Sequence, residues 1–196
     1  MDNNMDIFRI ITSKVKAPFS YIRNKLLAAA SRKESFTFES LPKTLDELKA
    51  LPEAVMDDPF KTAALTVIAL SVYSEDRENG TEMLNFLRGP RPMSPAEIQF
   101  LNDRLMDGRT YIARSYFGGA TPENEYTPSV PYTLKVDSNQ YSSLEGGNYM
   151  KLLISSGGAD SPRSVTLRKT GGGKWFLWEQ HLLSDIRIPK SQDDWA

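Results

Sequence analysis

Hydrophobic residues recur at steps of three and four in the first half of the chain, the spacing that places them on one side of an α-helix. Residues 7–26 follow this pattern and predict an amphipathic helix that Pro18 kinks or divides, because proline removes a backbone hydrogen bond inside a helix. A second run begins after Asp58, which serves as the helix cap, and is apolar on almost every side to about Tyr73. The sequence therefore predicts a buried central helix around which the other elements pack.

Three shorter helices are predicted from their end signals. The segments that follow Thr44 and Ser94 begin with the capping-box pattern, and the second is predicted to run to Gly108. A further helix is predicted over 81–88, where a Gly-Pro pair ends it. The Asn-Gly-Thr sequence at 79–81 is interpreted as a turn.

After Gly108 the pattern changes to that of strands. Tyr111 to Phe117 is rich in aromatic and β-compatible residues and predicts a strand. Four further strands of an antiparallel meander are predicted: Tyr132–Val136, Tyr149–Ile154, Arg163–Lys169 and Lys174–Trp178. The fourth of these is apolar on both faces, which predicts an interior position in the sheet. Thr170 to Gly173 supplies the glycines of the hairpin turn before it.

These elements predict an α+β fold in which N-terminal helices pack on a C-terminal antiparallel meander sheet. Ser31 to Ser40 is interpreted as a linker. Residues 1–40 are accordingly predicted to form a basic amphipathic helical arm with its linker, and residues 41–196 to form a single α+β domain.

The composition is that of an ordinary globular protein. Of its 196 residues 40% are hydrophobic and 25% are charged, the formal net charge is -1, and there is no cysteine. A domain of this size buries enough surface to fold without disulfides, and a chain without cysteine suits a reducing compartment, so a cytoplasmic location is expected. No signal peptide and no membrane-spanning segment are expected.

Charge is unevenly distributed along the chain. Residues 1–34 carry seven basic and three acidic side chains, so this segment is +4 and the remainder is -5. A basic amphipathic helix can lie on an anionic membrane surface or dock in the groove of a partner. The alternative is a helix of the domain with a solvated basic face.

Few side chains could carry chemistry. His181 is the single histidine, with Ser184 and Asp185 as its nearest partners for catalysis, but their spacing is typical of an exposed turn. Asp137 to Tyr141 starts like a calcium loop but lacks one ligand and the required glycine, so it is interpreted as a turn. The glycines before Lys174 precede a strand instead of a helix, which argues against a phosphate loop. No catalytic residue, metal site or cofactor is predicted.

The aromatic residues could form a stacking platform for bases or sugars. Binding of single-stranded nucleic acid requires basic side chains among the aromatic ones, which Arg168 and Lys174 alone hardly supply. Trp175 and Trp178 are therefore predicted to pack in the core, and no nucleic acid partner is expected.

Five segments carry a family resemblance: Arg114–Pro122, Tyr126–Pro128, Trp175–Trp178, Ile186–Pro189 and Asp194–Ala196. They resemble an uncharacterised bacterial family, a domain of unknown function, over about residues 40–196. The resemblance implies a bacterial intracellular protein with no assigned activity, and it assigns no catalytic residue. The order of helices and meander is also similar to the nuclear-transport-factor-2-like cone, and this analogy implies a cone-like sheet.

The stretch from Gly118 to Pro131 is the longest predicted loop, and loops of this length in compact domains are often functional. Because no catalytic set is found, we expect a non-enzymatic binding or accessory module that engages a protein or small ligand through this loop or the sheet face. Two alternatives stay open. One is a small-molecule enzyme with a pocket between helices and sheet, and the other is a peripheral membrane protein that docks through residues 1–34.

Overall fold

The computed structural model describes residues 31–195 of the chain. The helix predicted within residues 7–26 and most of the basic arm lie outside the described residues. The helices and strands follow in the order β1 (Lys33–Phe38), α1 (Leu45–Lys49), α2 (Pro59–Glu75), α3 (Arg77–Arg88), α4 (Pro95–Leu105), α5 (Tyr111–Arg114), β2 (Tyr132–Asp137), β3 (Ser143–Leu144), β4 (Tyr149–Ile154), β5 (Arg163–Lys169) and β6 (Trp175–Gln180). Short 3₁₀ turns occupy Pro52–Val55, Pro122–Asn124, Glu145–Gly147 and Lys190–Gln192.

Helix α2 is the centre of the molecule, as its all-round apolar sequence predicts. The Asp58 carboxylate accepts the Phe60 amide at 2.9 Å and caps the helix, and 13 of its 17 residues are buried. Thr62 donates its hydroxyl to the carbonyl oxygen of Trp175 at 2.9 Å, which ties the helix to strand β6 inside the core. Neither α2 nor any other helix between residues 31 and 195 is long and apolar enough to cross a membrane.

The strands form one antiparallel sheet in the order β1-β2-β4-β5-β6, with the short β3 paired to β4. Side chains therefore alternate between an inner face packed on the helices and an open face. This arrangement confirms the α+β class and the antiparallel meander. The buried side chains of the inner face are Phe36, Phe38, Leu134, Val136, Leu152, Ile154, Val165, Leu167, Trp175 and Leu177.

The interpretation of Ser31 to Ser40 as a linker is wrong. Lys33–Phe38 forms β1 and pairs with β2 along its whole length. Phe36 and Phe38 alternate with exposed residues and are buried in the core. The domain boundary expected at residue 41 therefore comes after β1, although this strand already belongs to the sheet of the domain.

The predicted strand from Tyr111 to Phe117 is instead a short helix, α5, followed by turns. Buried Ile112 and Tyr116 are four residues apart, the spacing of one helix face. The Ser115 hydroxyl donates to the carbonyl oxygen of Ile112 at 2.7 Å, a bond typical of helical backbone. Aromatic composition indicated a strand here, but packing of these side chains on the core decides the structure.

The prediction that the last strand is interior is also wrong, because β6 lies at one edge of the sheet. Trp175 and Leu177 are buried in the core, whereas Phe176 and Trp178 are half-buried on the opposite face. The connection between α3 and α4 lies against that opposite face: a Cβ atom added to Gly89 would be 2.4 Å from the Phe176 ring. Strand β6 is apolar on both faces because one face packs on the core and this connection covers the other.

Helix α3 begins earlier than predicted and contains the segment interpreted as a turn. The Asp76 carboxylate accepts the backbone N–H groups of Glu78 and Asn79, each at 3.1 Å, and so caps the helix. Gly80 lies where α3 packs on the end of α2, and a Cβ atom there would be 2.2 Å from the Cα atom of Tyr73. Close packing of two helices, not a turn, requires this glycine.

Replacing Gly80 by alanine tests this contact. At an exposed helix position, alanine is more stable than glycine by about 1 kcal/mol. At position 80, however, steric overlap with Tyr73 should lower the free energy of unfolding of Gly80→Ala by about 2 kcal/mol or more. Urea denaturation measures the free energy of unfolding. Gly172→Ala is the control, because its Cβ atom meets no atom closer than 4.0 Å, and it should change stability by less than about 0.5 kcal/mol. Equal stability changes in the two variants would contradict the close-packing explanation.

Candidate functional site

The long loop from Gly118 to Pro131 is ordered by its own hydrogen bonds. The side-chain amide of Asn124 donates to the carbonyl oxygens of Gly119 and Thr127, at 2.8 and 3.1 Å. The Tyr126 hydroxyl donates to the carbonyl oxygen of Arg187 at 2.6 Å and ties the loop to the C-terminal segment. These hydrogen bonds hold the loop in one conformation against the rest of the domain.

A cleft of about 420 Å³ lies between this loop, the segment after β1 and the last turn of α2, and we name it the loop cleft. Pro128 and Val130 of the loop contribute to its mostly apolar walls. Two acidic and two basic side chains also line it, and the guanidinium of Arg114 lies 2.6 Å from the Glu75 carboxylate. Because these charges balance, the loop cleft favours neither anions nor cations.

His181 lies at the end of β6 with its side chain 54% exposed. Its Nε2 atom is 3.5 Å from Oε1 of Glu179. The backbone carbonyl oxygens of Ser184 and Asp185 accept hydrogen bonds from the guanidinium of Arg163, at 2.8 and 2.9 Å. Within residues 31–195, no hydrogen bond or ion pair joins the His181 side chain to that of Ser184 or Asp185, so the structure does not bring these three candidates together as a catalytic triad.

The other sequence candidates are turns, as predicted. The amide of Tyr141 donates to Oδ1 of Asn139 at 2.8 Å, which forms a tight polar turn after β2. The Thr170 amide donates to the carbonyl oxygen of Lys174 at 2.8 Å and closes the β5–β6 hairpin. Within residues 31–195, no group of three or more His, Cys, Asp or Glu side chains could hold a metal ion.

Trp175 and Trp178 have different environments. Trp175 is 7% exposed and confirms the prediction of a core residue, but Trp178 is half-buried on the open face of the sheet. A β-bulge between β5 and β6 makes Trp178 the extra residue of its strand. Its ring packs edge-to-face against that of Tyr149, with 5.6 Å between the centroids. The prediction that Trp178 lies in the core is therefore wrong.

Two arginines lie against the Trp178 ring. The Cζ atoms of Arg91 and Arg168 are 4.6 and 4.7 Å from its centroid, within the range of cation–π attraction. Arg168 also lies 5.5 Å from the centroid of the Tyr149 ring. Within residues 31–195, no carboxylate lies within 4.0 Å of either guanidinium. Both positive charges are therefore available to a ligand.

These arginines line a pocket of about 580 Å³, which we name the Trp178 pocket. Four cationic side chains and no acidic one line it, and the ion pair of Arg88 with Glu97, at 2.6 Å, neutralises one of them. Its net charge is therefore strongly positive. The lining residues are Arg88, Pro90, Arg91, Arg168, Lys169, Thr170, Gly171, Phe176, Leu177 and Trp178.

Arg91 is the functional candidate that sequence reasoning missed. It lies between two prolines, Pro90 and Pro92, in the connection from α3 to α4. Prolines restrict the backbone, so the sequence does indicate a rigid connection. The ring that Arg91 faces belongs to a strand 87 residues later, and no local pattern reports that contact.

Comparison with known proteins identifies a family whose function is not known. A family model described as a domain of unknown function (DUF6935) matches residues 40–190. No curated protein and no solved structure matches the chain. The matched range contains both the loop cleft and the Trp178 pocket, apart from Glu39 at the edge of the loop cleft. The analogy with a cone-like fold stays a prediction.

Tyr126, which ties the long loop to the C-terminal segment, should make the stability of the protein depend on pH in the alkaline range. Burial raises the pKa of Tyr126 from its ordinary value of 10 to about 12. Between these values the unfolded chain loses the phenol proton and the folded chain keeps it. The free energy of unfolding should therefore fall as pH rises from about 10 to 12. Chemical denaturation at a series of pH values measures this slope.

Tyr126→Phe should be less stable than the wild type near neutral pH, because it lacks the hydrogen bond to Arg187, and its stability should fall less steeply above about pH 10. Tyr141→Phe is the matched control, since Tyr141 is 73% exposed, and it should keep the wild-type slope. The explanation fails if Tyr126→Phe also keeps the wild-type slope.

Proposed function

The chain belongs to the DUF6935 family, a domain of unknown function, and we propose that it is a non-enzymatic binding module that holds a small anionic ligand in the Trp178 pocket. The observation that carries this proposal is the charge of the pocket. Four cationic side chains line it without an acidic one, and in the described part of the chain only Arg88 among them has an ion-pair partner. An anion entering the pocket meets unneutralised positive charge.

The chemistry of the cations favours phosphate or carboxylate groups. A guanidinium presents a planar set of N–H donors that matches either oxyanion with two parallel hydrogen bonds. Arg91 and Arg168 provide two such groups, and Lys169 adds a third positive charge at the same pocket. These residues favour a ligand with more than one negative charge.

The aromatic rings prepare the arginines for binding. Because Arg91 and Arg168 already pack on Trp178, they lose less side-chain entropy when a ligand binds than free surface arginines would. The pocket volume of about 580 Å³ is in the range typical of small-molecule sites. The apolar side chains of Pro90 and Phe176 can contact the uncharged part of the ligand.

The alternative of a small-molecule enzyme is less well supported at this pocket. General acid–base catalysis needs a group that gains or loses a proton near neutral pH, and arginine stays protonated. The side chains here are suited to holding an anion. The formal net charge of -1 over the whole chain still argues against nucleic acid as the ligand.

We also propose that the protein works in the bacterial cytoplasm. The cysteine-free sequence supports a reducing compartment. The resemblance of about residues 40–196 to a bacterial family supports a bacterial source.

Tripolyphosphate is a suitable probe, because it is small and carries several negative charges. Isothermal titration calorimetry on the full chain at low salt should detect binding that weakens as salt is added. Arg91→Gln and Arg168→Gln should each raise the dissociation constant about tenfold or more, since a hydrogen bond to a charged group contributes about 1.5–3 kcal/mol.

Arg104→Gln is the matched control. Its guanidinium also lies over an aromatic ring, 5.5 Å from the centroid of Phe100, but it does not line the Trp178 pocket. This variant should bind tripolyphosphate like the wild type. Undetectable binding at low salt, or binding that neither pocket variant weakens, would show that the pocket does not serve as an anion site.

A further inference from the structure

The Trp178 pocket has an apolar neighbour. A second pocket of about 140 Å³ shares three of its lining residues, Arg88, Leu177 and Trp178, so the two pockets adjoin. We name it the Leu84 pocket. A ligand held in the first pocket is therefore within reach of the second.

The chemistry of the Leu84 pocket differs from that of the Trp178 pocket. Apolar side chains from α2, α3, α4 and the α3–α4 connection form most of its wall: Leu70, Leu84, Met93, Phe100 and Leu101. Of its two carboxylates, Glu97 already accepts hydrogen bonds from Arg88 and Ser94, at 2.6 and 2.8 Å. Glu179 is 58% exposed and can stay in contact with water at the rim. The pocket is suited to a hydrocarbon group.

Arg88 fixes the two pockets relative to each other. Its side chain is 9% exposed, and its Nε atom donates to the carbonyl oxygen of Arg91 at 3.1 Å while Nη2 donates to Glu97. The connection held in this way carries Arg91 into one pocket and Met93 into the other. The cationic and the apolar pocket are therefore formed together before a ligand arrives.

We infer that the ligand is a small amphiphilic anion with a short hydrocarbon chain. Its phosphate or carboxylate group lies beside Arg91 and Arg168, and its chain passes the edge of Trp178 into the Leu84 pocket. This inference rests on the proposed function and narrows its class of ligand. The chain is short, because a methylene group takes up nearly as much space as a water molecule, roughly 30 Å³, so the pocket holds about five carbon atoms.

A series of n-alkyl phosphates from methyl to octyl tests the inference. Calorimetric titration of the full chain, below the concentration at which the longer members form micelles, gives a dissociation constant for each. Each added methylene should lower the dissociation constant about fourfold until the chain reaches about five carbon atoms, after which the constant should level off.

Two variants connect the chain-length effect to the Leu84 pocket. Leu84→Phe fills the pocket and should abolish the gain in affinity from longer chains. Phe100→Ser changes a side chain at the rim that is 45% exposed, so the fold is preserved, and it should reduce the gain several-fold. Arg91→Gln should weaken every member of the series by the same factor.

The outcomes separate this inference from the proposed function. If methyl phosphate binds and longer chains bind no better, the inference of an amphiphilic ligand is wrong, but the proposal that the Trp178 pocket binds anions is kept. Affinity that continues to rise to octyl phosphate, or that rises equally in Phe100→Ser, points to non-specific partition and also overturns the inference. If neither tripolyphosphate nor any alkyl phosphate binds, both proposals are wrong.

Discussion

The hydrogen bond from the Thr62 hydroxyl to the carbonyl oxygen of Trp175 determines how the two halves of the molecule meet. Helix α2 is apolar on nearly all sides, and hydrophobic attraction has no direction, so burial alone does not select one rotation of the helix. A buried polar group must find its partner, which selects one rotation and one position along β6. The placement of β6 then decides where Trp178 lies. The site therefore depends on a contact inside the core.

The sequence predicts those elements whose signals are local. The caps of α2 and α4 and the apolar run inside α2 are local, and these helices form where expected. Strand β1 was missed because it exists only through pairing with β2, about 100 residues later. The position of β6 was missed for a similar reason, since the cover on its second face comes from a connection far away in the sequence. The secondary-structure propensity of a segment does not show which distant segments it packs against.

The candidate site was less predictable than the fold. Sequence reasoning pointed to the long loop, which does line a cleft, but the charges there cancel. The Trp178 pocket differs because its charges do not cancel, and this property arises only in three dimensions. Arg88 and Arg91 are three residues apart and identical in type, yet one is neutralised by Glu97 and the other faces an indole ring. Composition counts both arginines alike.

The connection from Gly89 to Met93 has a second consequence. Strand β6 carries the sequence Trp-Phe-Leu-Trp at the edge of the sheet, and an apolar edge strand is a place where chains pair with one another and aggregate. The connection that supplies Arg91 also lies over the outer side chains of this strand. A change that displaces this connection would therefore uncover the strand. The connection thus lines the proposed anion pocket, through Pro90 and Arg91, and at the same time shields the outer side chains of β6.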